Sequence, residues 1–454
     1  MIKIVFIGAG NIELTRRILS DLLSVPELEH RLHIVLDDTD AERLAVAEAV
    51  ASRLASETNS GNVVEVSPDR RHALDGADFV ICQLEAGGYQ AALRDFEIPH
   101  RYGLRQTIGD TIGIGGIFRG LRTIPALVDI AQTMTDVCPQ AWCLSYTDPM
   151  AMTTWAVRSA TSFRRLVGLC HAVRDTHAML AETVGRDLSD VSFLTAGVNH
   201  QSFVLRFEAD GRSLYPDLDA RLADDPQSAH NVRVELYRRF GYFPTESSEH
   251  AAEYVPWFMR HDDQLVRFTI PPEEYLRRSG KKLHAYEGVR RALAAGRPLL
   301  IQWQHLELAS EFVTAMVTGT GREISMTVPN EGLIQNLPAQ CCVEVPAWVD
   351  EHGIAPVAVP DYPAQLAGLN RTFLNVVELT VLAALEGRRS YVYQAAMLDP
   401  NTAATLTLAA IHDLCDELIE AHGDLLPAGI GRRDDMIMPR HPASAGHQGT
   451  EGKA

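Results

Sequence analysis

The first 200 residues alternate between short apolar runs and stretches in which apolar residues recur at helical spacing. The runs IKIVFIG (2–8) and LHIVLDD (32–38) are rich in β-branched residues, which is typical of strands buried on both faces of a parallel sheet. Between them, Leu14, Ile18 and Leu22 mark one face of a helix that Pro26 ends. Further apolar runs predict strands at ADFVICQ (77–83), AWCLSYTD (141–148), RRLVGLC (164–170) and SFLTAGVNH (192–200).

The pattern changes from about residue 205, where helical spacing dominates. SAHNVRVELYRRFG (228–241) and the stretches 363–386 and 403–421 are typical of helices, and a proline-rich segment covers 346–363. Strand–helix alternation predicts an α/β fold with a Rossmann-like, doubly wound parallel sheet. We therefore predict a nucleotide-binding domain over 1–200, a mainly helical α+β substrate and metal-site domain over 201–430, and a disordered tail over 431–454.

The composition disfavours several classes of protein. The 454 residues include 59 acidic and 41 basic side chains, for a net charge of −18, which disfavours nucleic acid or an anionic membrane as a partner. No apolar run reaches the ~18–20 residues that a membrane span needs. The seven cysteines have no framework spacing, which favours reduced thiols. We expect a cytoplasmic protein.

A glycine turn, FIGAGNIE, follows the first predicted strand. Gly8 allows a tight turn, Gly10 allows close approach of a pyrophosphate, and Asn11 and Ile12 open a helix whose free N–H groups attract anions. Glu13 stands where the third glycine of G-x-G-x-x-G would fall. Asp37 or Asp38 follows at the end of the second strand, where an acid favours NAD over a 2′-phosphorylated cofactor. The alternative is a tight turn without a ligand.

Polar side chains follow three predicted strands, at the edge where open α/β sheets bind ligands. These strand ends are Thr147-Asp148, Cys170-His171 and Asn199-His200. A thiolate from Cys170 and an imidazole from His200 suit a divalent metal of borderline softness such as Mn²⁺, Fe²⁺, Co²⁺, Ni²⁺ or Zn²⁺. The spacing alone favours the alternative of a buried cysteine and a hydrogen-bonded core histidine, because two separated residues are not a metal-binding motif.

Two other segments contain candidate chemistry. YGLRQTIGDTIGIGGIFRGLRTIP (102–125) is a glycine-rich loop that leads into a helix, and its Asp110 could contact a sugar hydroxyl; a purely structural loop is the alternative. TESSEHAAEYVPWF (245–258) concentrates acids, His250 and Tyr254, and its alternative is an ordinary capped amphipathic helix.

Together these segments resemble glycoside hydrolase family 4, whose members are NAD- and divalent-metal-dependent glycosidases, and within it the melibiose-type α-galactosidases. The resemblance covers residues 1–427. It depends on GLRQTIGDTIGIGGIFRGLRTIP, GLCHAV, AGVNH, GYFPTESSEHAAEYVPWF, NLPAQCCVEVPAWVD, YQAAMLDPNTAATLTLAAI and AHGDLLP. It implies a first domain related to lactate and malate dehydrogenases, NAD bound at Gly8, Gly10, Asn11, Ile12 and Asp38, and a metal, expected to be manganese, bound by Cys170 and His200.

The resemblance also implies the reaction, which is an exception to hydrolysis by two carboxylates. NAD oxidises C3 of the sugar, which acidifies the C2 proton. A base removes that proton, the C1 leaving group is eliminated, water adds and the hydride returns to C3. Tyr254 is the candidate base, Asp110 a second base or a sugar-binding group, and Asp148 and Asn199 contact the sugar.

Asp148 departs from the family pattern, and His171 stands at a position where branches of the family differ. Asp148 stands in TDPMA where the family usually has asparagine, and His171 follows Cys170 where the branch acting on 6-phosphosugars has aspartate. His171 therefore disfavours a phosphorylated substrate. The alternatives are an α-glucosidase or α-glucuronidase, an NAD-dependent sugar dehydrogenase, and a silent NAD- and sugar-sensing protein. The partner is expected to be a small sugar, and the chain a homodimer or homotetramer.

Overall fold

Six parallel strands form the first half of the sheet in the computed structural model, which describes residues 1–300 and 307–432. They are β1 (Ile2–Ile7), β2 (Leu32–Asp37), β3 (Val63–Val66), β4 (Phe79–Cys82), β5 (Trp142–Ser145) and β6 (Leu166–Gly168). Their order in the sheet is β3-β2-β1-β4-β5-β6, which is the Rossmann order.

Helices cover both faces of these strands. They are α1 (Ile12–Leu22), α2 (Ala41–Thr58), α3 (Arg70–Leu74), α4 (Gly88–Arg101), α5 (Gly113–Val137), α6 (Met150–Ala160) and α7 (Ala172–Thr183). Alternate side chains of β1 enter different cores: Ile4 and Phe6 join one cluster of buried residues, and Val5 and Ile7 join another. A strand buried on both faces needs the continuous apolar sequence seen here, and the predicted doubly wound sheet is confirmed.

The strand predicted over 192–200 is present, but it pairs antiparallel with its neighbours. From there onward the chain extends the same sheet with antiparallel strands. They are β7 (Ser192–Val198), β8 (Gln201–Ala209), β9 (Arg212–Ser213), β10 (Phe243–Pro244), β11 (Arg322–Pro329), β12 (Cys342–Asp350) and β13 (Gly353–Pro356). β11 pairs with β6 through Thr327 and Gly168, and β12 pairs with β7 through Glu344 and Gly197. The sheet therefore continues across residue 200, and the domain boundary placed there stays a prediction.

Further helices follow in the chain, and several of them pack against the helices of the first half. These further helices are α8 (Tyr215–Asp224), α9 (Val232–Phe240), α10 (Ser248–Glu253), α11 (Asp262–Arg267), α12 (Glu274–Ala294), α13 (Leu308–Thr318), α14 (Ala364–Glu386), α15 (Arg389–Leu398), α16 (Pro400–Thr405) and α17 (Leu408–His422). The helix predicted over 403–421 is divided, because α16 ends at Thr405 and the Thr407 side chain caps α17 by accepting from the Ala410 N–H. Most of the predicted tail, 433–454, lies outside the described residues.

No helix in the described ranges is both long enough and apolar enough to cross a membrane.

A buried ionic cluster fastens three helices together beside the sheet. Arg122 on α5 donates to both carboxylate oxygens of Asp95 on α4, at 3.2 and 2.6 Å, and its Nε donates to the carbonyl of Ala86 at 2.9 Å. His422 Nε2, on α17, lies 2.9 Å from Asp95 Oδ1. Arg122 thereby holds the segment after β4 in place.

Replacing Asp95 with asparagine is expected to lower the free energy of unfolding by about 3 kcal/mol, because it leaves the buried Arg122 charge uncompensated. Denaturant unfolding measures the change. The matched control is Asp129→Asn, since Asp129 is 67% exposed and its pair with Arg70 lies at the surface; a loss below about 1 kcal/mol is expected there. Equal losses for the two variants would contradict the role given to the cluster.

Candidate active site

A cavity of about 890 Å³ opens at the carboxyl ends of β1, β2 and β4. All five residues predicted to bind the cofactor line it: Gly8, Gly10, Asn11, Ile12 and Asp38. The cavity therefore lies where doubly wound sheets bind dinucleotides.

Gly8 and Gly10 lie so close to neighbouring atoms that a side chain would not fit at either position. Gly8 has φ +80°, and a Cβ there would lie 2.8 Å from the Gln83 carbonyl oxygen. A Cβ on Gly10 would lie 2.7 Å from Asp38 Oδ2, to which the Gly10 N–H donates a hydrogen bond of 2.7 Å. Glu13 is exposed and lines the cavity, so it does not lie between α1 and the sheet. A third glycine is therefore unnecessary for packing at this position.

Three side chains that could hold a metal ion, the candidate metal-binding residues, converge near the carboxyl end of β6. Cys170 follows β6, His200 lies in the turn between β7 and β8, and Glu246 follows β10. Cys170 Sγ lies 3.2 Å from His200 Nε2 and 3.9 Å from Glu246 Oε1, and His200 Nε2 lies 3.5 Å from Glu246 Oε1. Metal–ligand bonds of about 2.0–2.3 Å place donor atoms at separations of this size around one ion. Sulfur, nitrogen and oxygen donors together suit a transition metal.

The orientation of His200 favours metal binding. Its Nδ1 lies 2.7 Å from Thr111 Oγ1, and the Thr111 hydroxyl donates to Asp110 Oδ1 at 2.8 Å. Because the Thr111 hydroxyl donates to Asp110, its oxygen accepts from His200 Nδ1, and Nε2 is the ring atom that faces Cys170. A hydrogen bond to the other ring nitrogen fixes the tautomer of a histidine that binds a metal.

Electrostatics at these three donors favour a cation. Burial lowers the pKa of His200, but Cys170 and Glu246 raise it well above its ordinary value. Burial raises the pKa of the Cys170 thiol to about 11, although His200 acts in the opposite direction. A bound divalent ion would take the place of both protons, since a coordinating thiol is deprotonated.

Two of the donors have left-handed backbones. His200 has φ 67° and Glu246 has φ 66°, a region that non-glycine residues rarely occupy. Such strain persists only where the surrounding structure holds it, and it is concentrated at functional sites. The left-handed backbone therefore occurs at two of the three residues whose donor atoms converge.

His250 joins the metal-binding side chains to Asp110. Its Nδ1 lies 3.1 Å from Glu246 Oε2, and its Nε2 lies 3.7 Å from Asp110 Oδ1. Burial opposes ionisation of Asp110, but the charges of His250 and Arg119 hold the pKa of this carboxyl below its usual range. Asp110 is therefore ionised.

Tyr254 lies one residue beyond α10 and is buried, 4% exposed. Burial raises its pKa well above the ordinary value, and the nearby Asp110 and Glu246 raise it further. Glu253, its neighbour, accepts from the backbone N–H groups of Ile108 and Gly109 at 3.1 and 3.0 Å. The segment around Tyr254 thereby fixes the loop that contains Asp110.

Asp148 and Asn199, the other predicted sugar contacts, border the same site. Asp148 Oδ1 is buried without a hydrogen-bond partner among residues 1–300 and 307–432, and burial raises the pKa of this carboxyl. Its neutral form has an O–H donor, as the asparagine expected there has an N–H donor. Asn199 Nδ2 donates to Glu344 Oε1 at 3.1 Å, while its Oδ1 has no partner in the described part of the chain.

Sequence reasoning missed Glu246 as a third donor. The available signal was its position in TESSEH, a segment singled out for its acids and His250. Nothing in the spacing indicated which of those acids faces Cys170, because the turn after β10 decides it.

Known families and proteins match nearly the whole chain. The model for "Family 4 glycosyl hydrolase" matches residues 3–186, and that for "Family 4 glycosyl hydrolase C-terminal domain" matches residues 195–402. The chain is 40% identical to an α-galactosidase of Bacillus subtilis (strain 168), over 94% of this chain and 99% of that one. It is 33% identical to an α-galactosidase of Rhizobium meliloti (strain 1021), over 94% and 89% of the two chains.

A solved structure shares the fold. The 6-phospho-α-glucosidase from gut microorganisms, in complex with NAD and Mn²⁺, superposes with a TM-score of 0.79 at 20% identity, covering 94% of this chain and 99% of that one. The matched models and the identity to the two relatives agree with the resemblance found in the sequence. This chain belongs to glycosyl hydrolase family 4.

Proposed function

We propose that this enzyme is an α-galactosidase that uses NAD and a divalent metal, expected to be manganese, to break the glycosidic bond by oxidation and elimination. The observation that best supports the proposal is the Cys170–His200–Glu246 triangle beside the dinucleotide cavity. The two α-galactosidase relatives support the substrate class.

The residues present fit NAD. Asp38 Oδ2 accepts from the Gly10 N–H, and Asp38 lines the cavity at the end of β2. A carboxylate there binds the ribose hydroxyls of NAD and repels a 2′-phosphate. Asn11 and Ile12, at the start of α1, line the same cavity, and the N-terminal end of a helix suits a pyrophosphate.

The residues present also fit a metal bound by Cys170 and His200, with Glu246 as a further donor. When bound, the nicotinamide and the metal supply a hydride acceptor for C3 and a Lewis acid for the sugar oxygens. Thr111 holds His200 in the tautomer that presents Nε2, and Glu246 adds a negative charge that binds the cation.

Tyr254 is proposed to remove the C2 proton. Its phenolate is a strong base, since its burial and two nearby carboxylates raise the pKa of the hydroxyl, and a neighbouring cation would stabilise the phenolate. Asp110 is better suited to accept hydrogen bonds from sugar hydroxyls, because its lowered pKa makes it a weak base. Asp148 and Asn199 complete the proposed sugar contacts.

A panel of p-nitrophenyl glycosides, with NAD⁺, Mn²⁺ and a thiol, tests the substrate and the reaction class. We expect nitrophenol release from the α-galactoside, slower or no release from the α-glucoside, and no accumulation of NADH. One NADH per product would instead identify a sugar dehydrogenase. Preference for the α-glucoside or an α-glucuronide would overturn the galactoside assignment alone.

An isotope experiment tests the elimination step separately. If C2 is deprotonated during turnover, α-galactoside with deuterium at C2 should give galactose in which solvent hydrogen has replaced part or all of the label. Mass spectrometry of the product measures the exchange. Complete retention of deuterium would contradict the elimination, whichever sugar is preferred.

The homodimer or homotetramer expected from the sequence is part of the proposal, and light scattering of the purified enzyme measures it. The cytoplasmic location likewise stays a prediction.

A further inference from the structure

Helix α12 extends across the mouth of the dinucleotide cavity. Only three of its residues are buried: Glu274 and Tyr275 in its first turn, and Val289 near its other end. The middle of the helix has little protein beneath it, although a helix in a folded protein normally buries one face.

The face that would normally be buried points into the cavity. Its residues recur at helical spacing, and those that line the cavity include Ser279, Lys282, Leu283, Tyr286 and Val289. Leu283 is 43% exposed. This exposed apolar side chain therefore borders the cavity.

Both ends of α12 are fixed to the first half of the chain. At the start, the Tyr275 hydroxyl donates to Glu85 Oε1 at 2.8 Å and accepts from Arg119 Nη1 at 2.6 Å. Beyond the end, the Leu299 N–H donates to the Glu57 carboxylate at 2.9 and 3.0 Å. The helix is therefore held as a span above the cavity.

The two ends of α12 lie near the two ends of the proposed dinucleotide site. The Arg43 guanidinium lies over the Tyr286 ring, 4.9 Å from its centroid, and Arg43 Nη1 donates to the Gly10 carbonyl at 3.1 Å. Tyr286 thus lies at the end marked by Gly10 and Asp38. Tyr275, at the other end of the helix, contacts Arg119, whose Nε donates to the Asp148 carbonyl at 3.2 Å beside the metal-binding residues.

We propose that α12 is the outer wall of the NAD site, and that Lys282, Leu283 and Tyr286 contact the bound dinucleotide and slow its release. The inference rests on the proposed function, in which the hydride returns to the sugar and NAD ends each turnover unchanged. Slow release of NAD therefore does not limit the rate, whereas a dehydrogenase must exchange its cofactor after every reaction.

Neighbouring residues on α12 provide a matched test. Lys282→Ala and Leu283→Ala remove groups that line the cavity, while Lys281→Ala and His284→Ala alter residues outside the lining. Alanine preserves the helix. In the full chain with Mn²⁺, we expect the two lining variants to bind NAD⁺ about five- to tenfold more weakly in calorimetry and to release it correspondingly faster, since each loses a contact worth about that factor. The two control variants should match the unaltered enzyme.

Hydrogen exchange gives a second readout that needs no substitution. Amides of residues 279–289 should exchange more slowly once NAD⁺ is added. Unchanged NAD⁺ affinity and release in both lining variants, or unchanged exchange in this segment, would overturn the inference alone. Failure of the unaltered enzyme to bind NAD⁺ would overturn the proposed function as well.

Discussion

Replacing Cys170 with serine is expected to lower kcat/KM at least about 1000-fold, because the Lewis acid supplies several kcal/mol and each 1.4 kcal/mol is a factor of ten. A serine hydroxyl stays protonated where a thiol ionises, so the site loses an anionic donor. Affinity for NAD⁺ should be nearly unchanged, since Cys170 does not line the dinucleotide cavity. Steady-state kinetics, Mn²⁺ titration followed by electron paramagnetic resonance, and NAD⁺ calorimetry separate these effects.

Cys138→Ser is the matched control for this variant. Cys138 is buried, whereas Cys170 is partly exposed, and Cys138 follows α5 at the end of the sheet remote from Cys170 and His200. It should retain both activity and Mn²⁺ binding. Turnover of the Cys170 variant at the rate of the unaltered enzyme would refute the metal role of this residue.

Replacing Tyr254 with phenylalanine is expected to lower kcat about 10²- to 10⁴-fold, the range for loss of a general base. The packing should survive, because the ring contact with Phe373, 5.6 Å between centroids, does not use the hydroxyl. Mn²⁺ and NAD⁺ should bind as before. Exchange of C2 deuterium with solvent should slow by the same factor as turnover, which a merely structural role would not produce.

Tyr242→Phe serves as the control, since Tyr242 is in the same segment but is half-buried beside Tyr215. Normal label exchange in the Tyr254 variant would exclude Tyr254 as the base. Asp110→Asn would then be the next variant to measure, because Asp110 is the other candidate.

Five of the six strands in the parallel half were predictable from sequence, because each is a continuous apolar run followed by a turn or a helical pattern. β3 was missed, since its four residues include Glu65 and are only partly buried. Of the antiparallel extension only β7 was predicted, and the strand–helix alternation wrongly placed it in the parallel half. β11 ends in Pro329 and β12 contains Pro346, and proline within a run argues against a strand. Their pairing with β6 and β7 depends on contacts between residues far apart in the chain, which local patterns do not encode.

The part of the candidate site that lies directly after strands was predictable from sequence. Cys170 and His200 follow β6 and β7, and the structure brings their side chains together as the sequence predicted. Glu246 is different, because its direction depends on a left-handed backbone in the turn after β10. A single sequence gives the residue type at that position but not its φ angle. The same holds for α12, whose sequence does not reveal that its inner face borders a cavity.

The continuous sheet has a consequence for protein engineering. A truncated chain that stopped at residue 200 would leave the backbone groups of β6 and β7 without the neighbours that β11 and β12 provide. Unpaired strand edges recruit other chains, and such a fragment is expected to aggregate when expressed alone. A chimaera that combines the two halves of different relatives would therefore have to preserve the backbone hydrogen bonds between these strands. Exchange of surface loops would leave those hydrogen bonds unchanged.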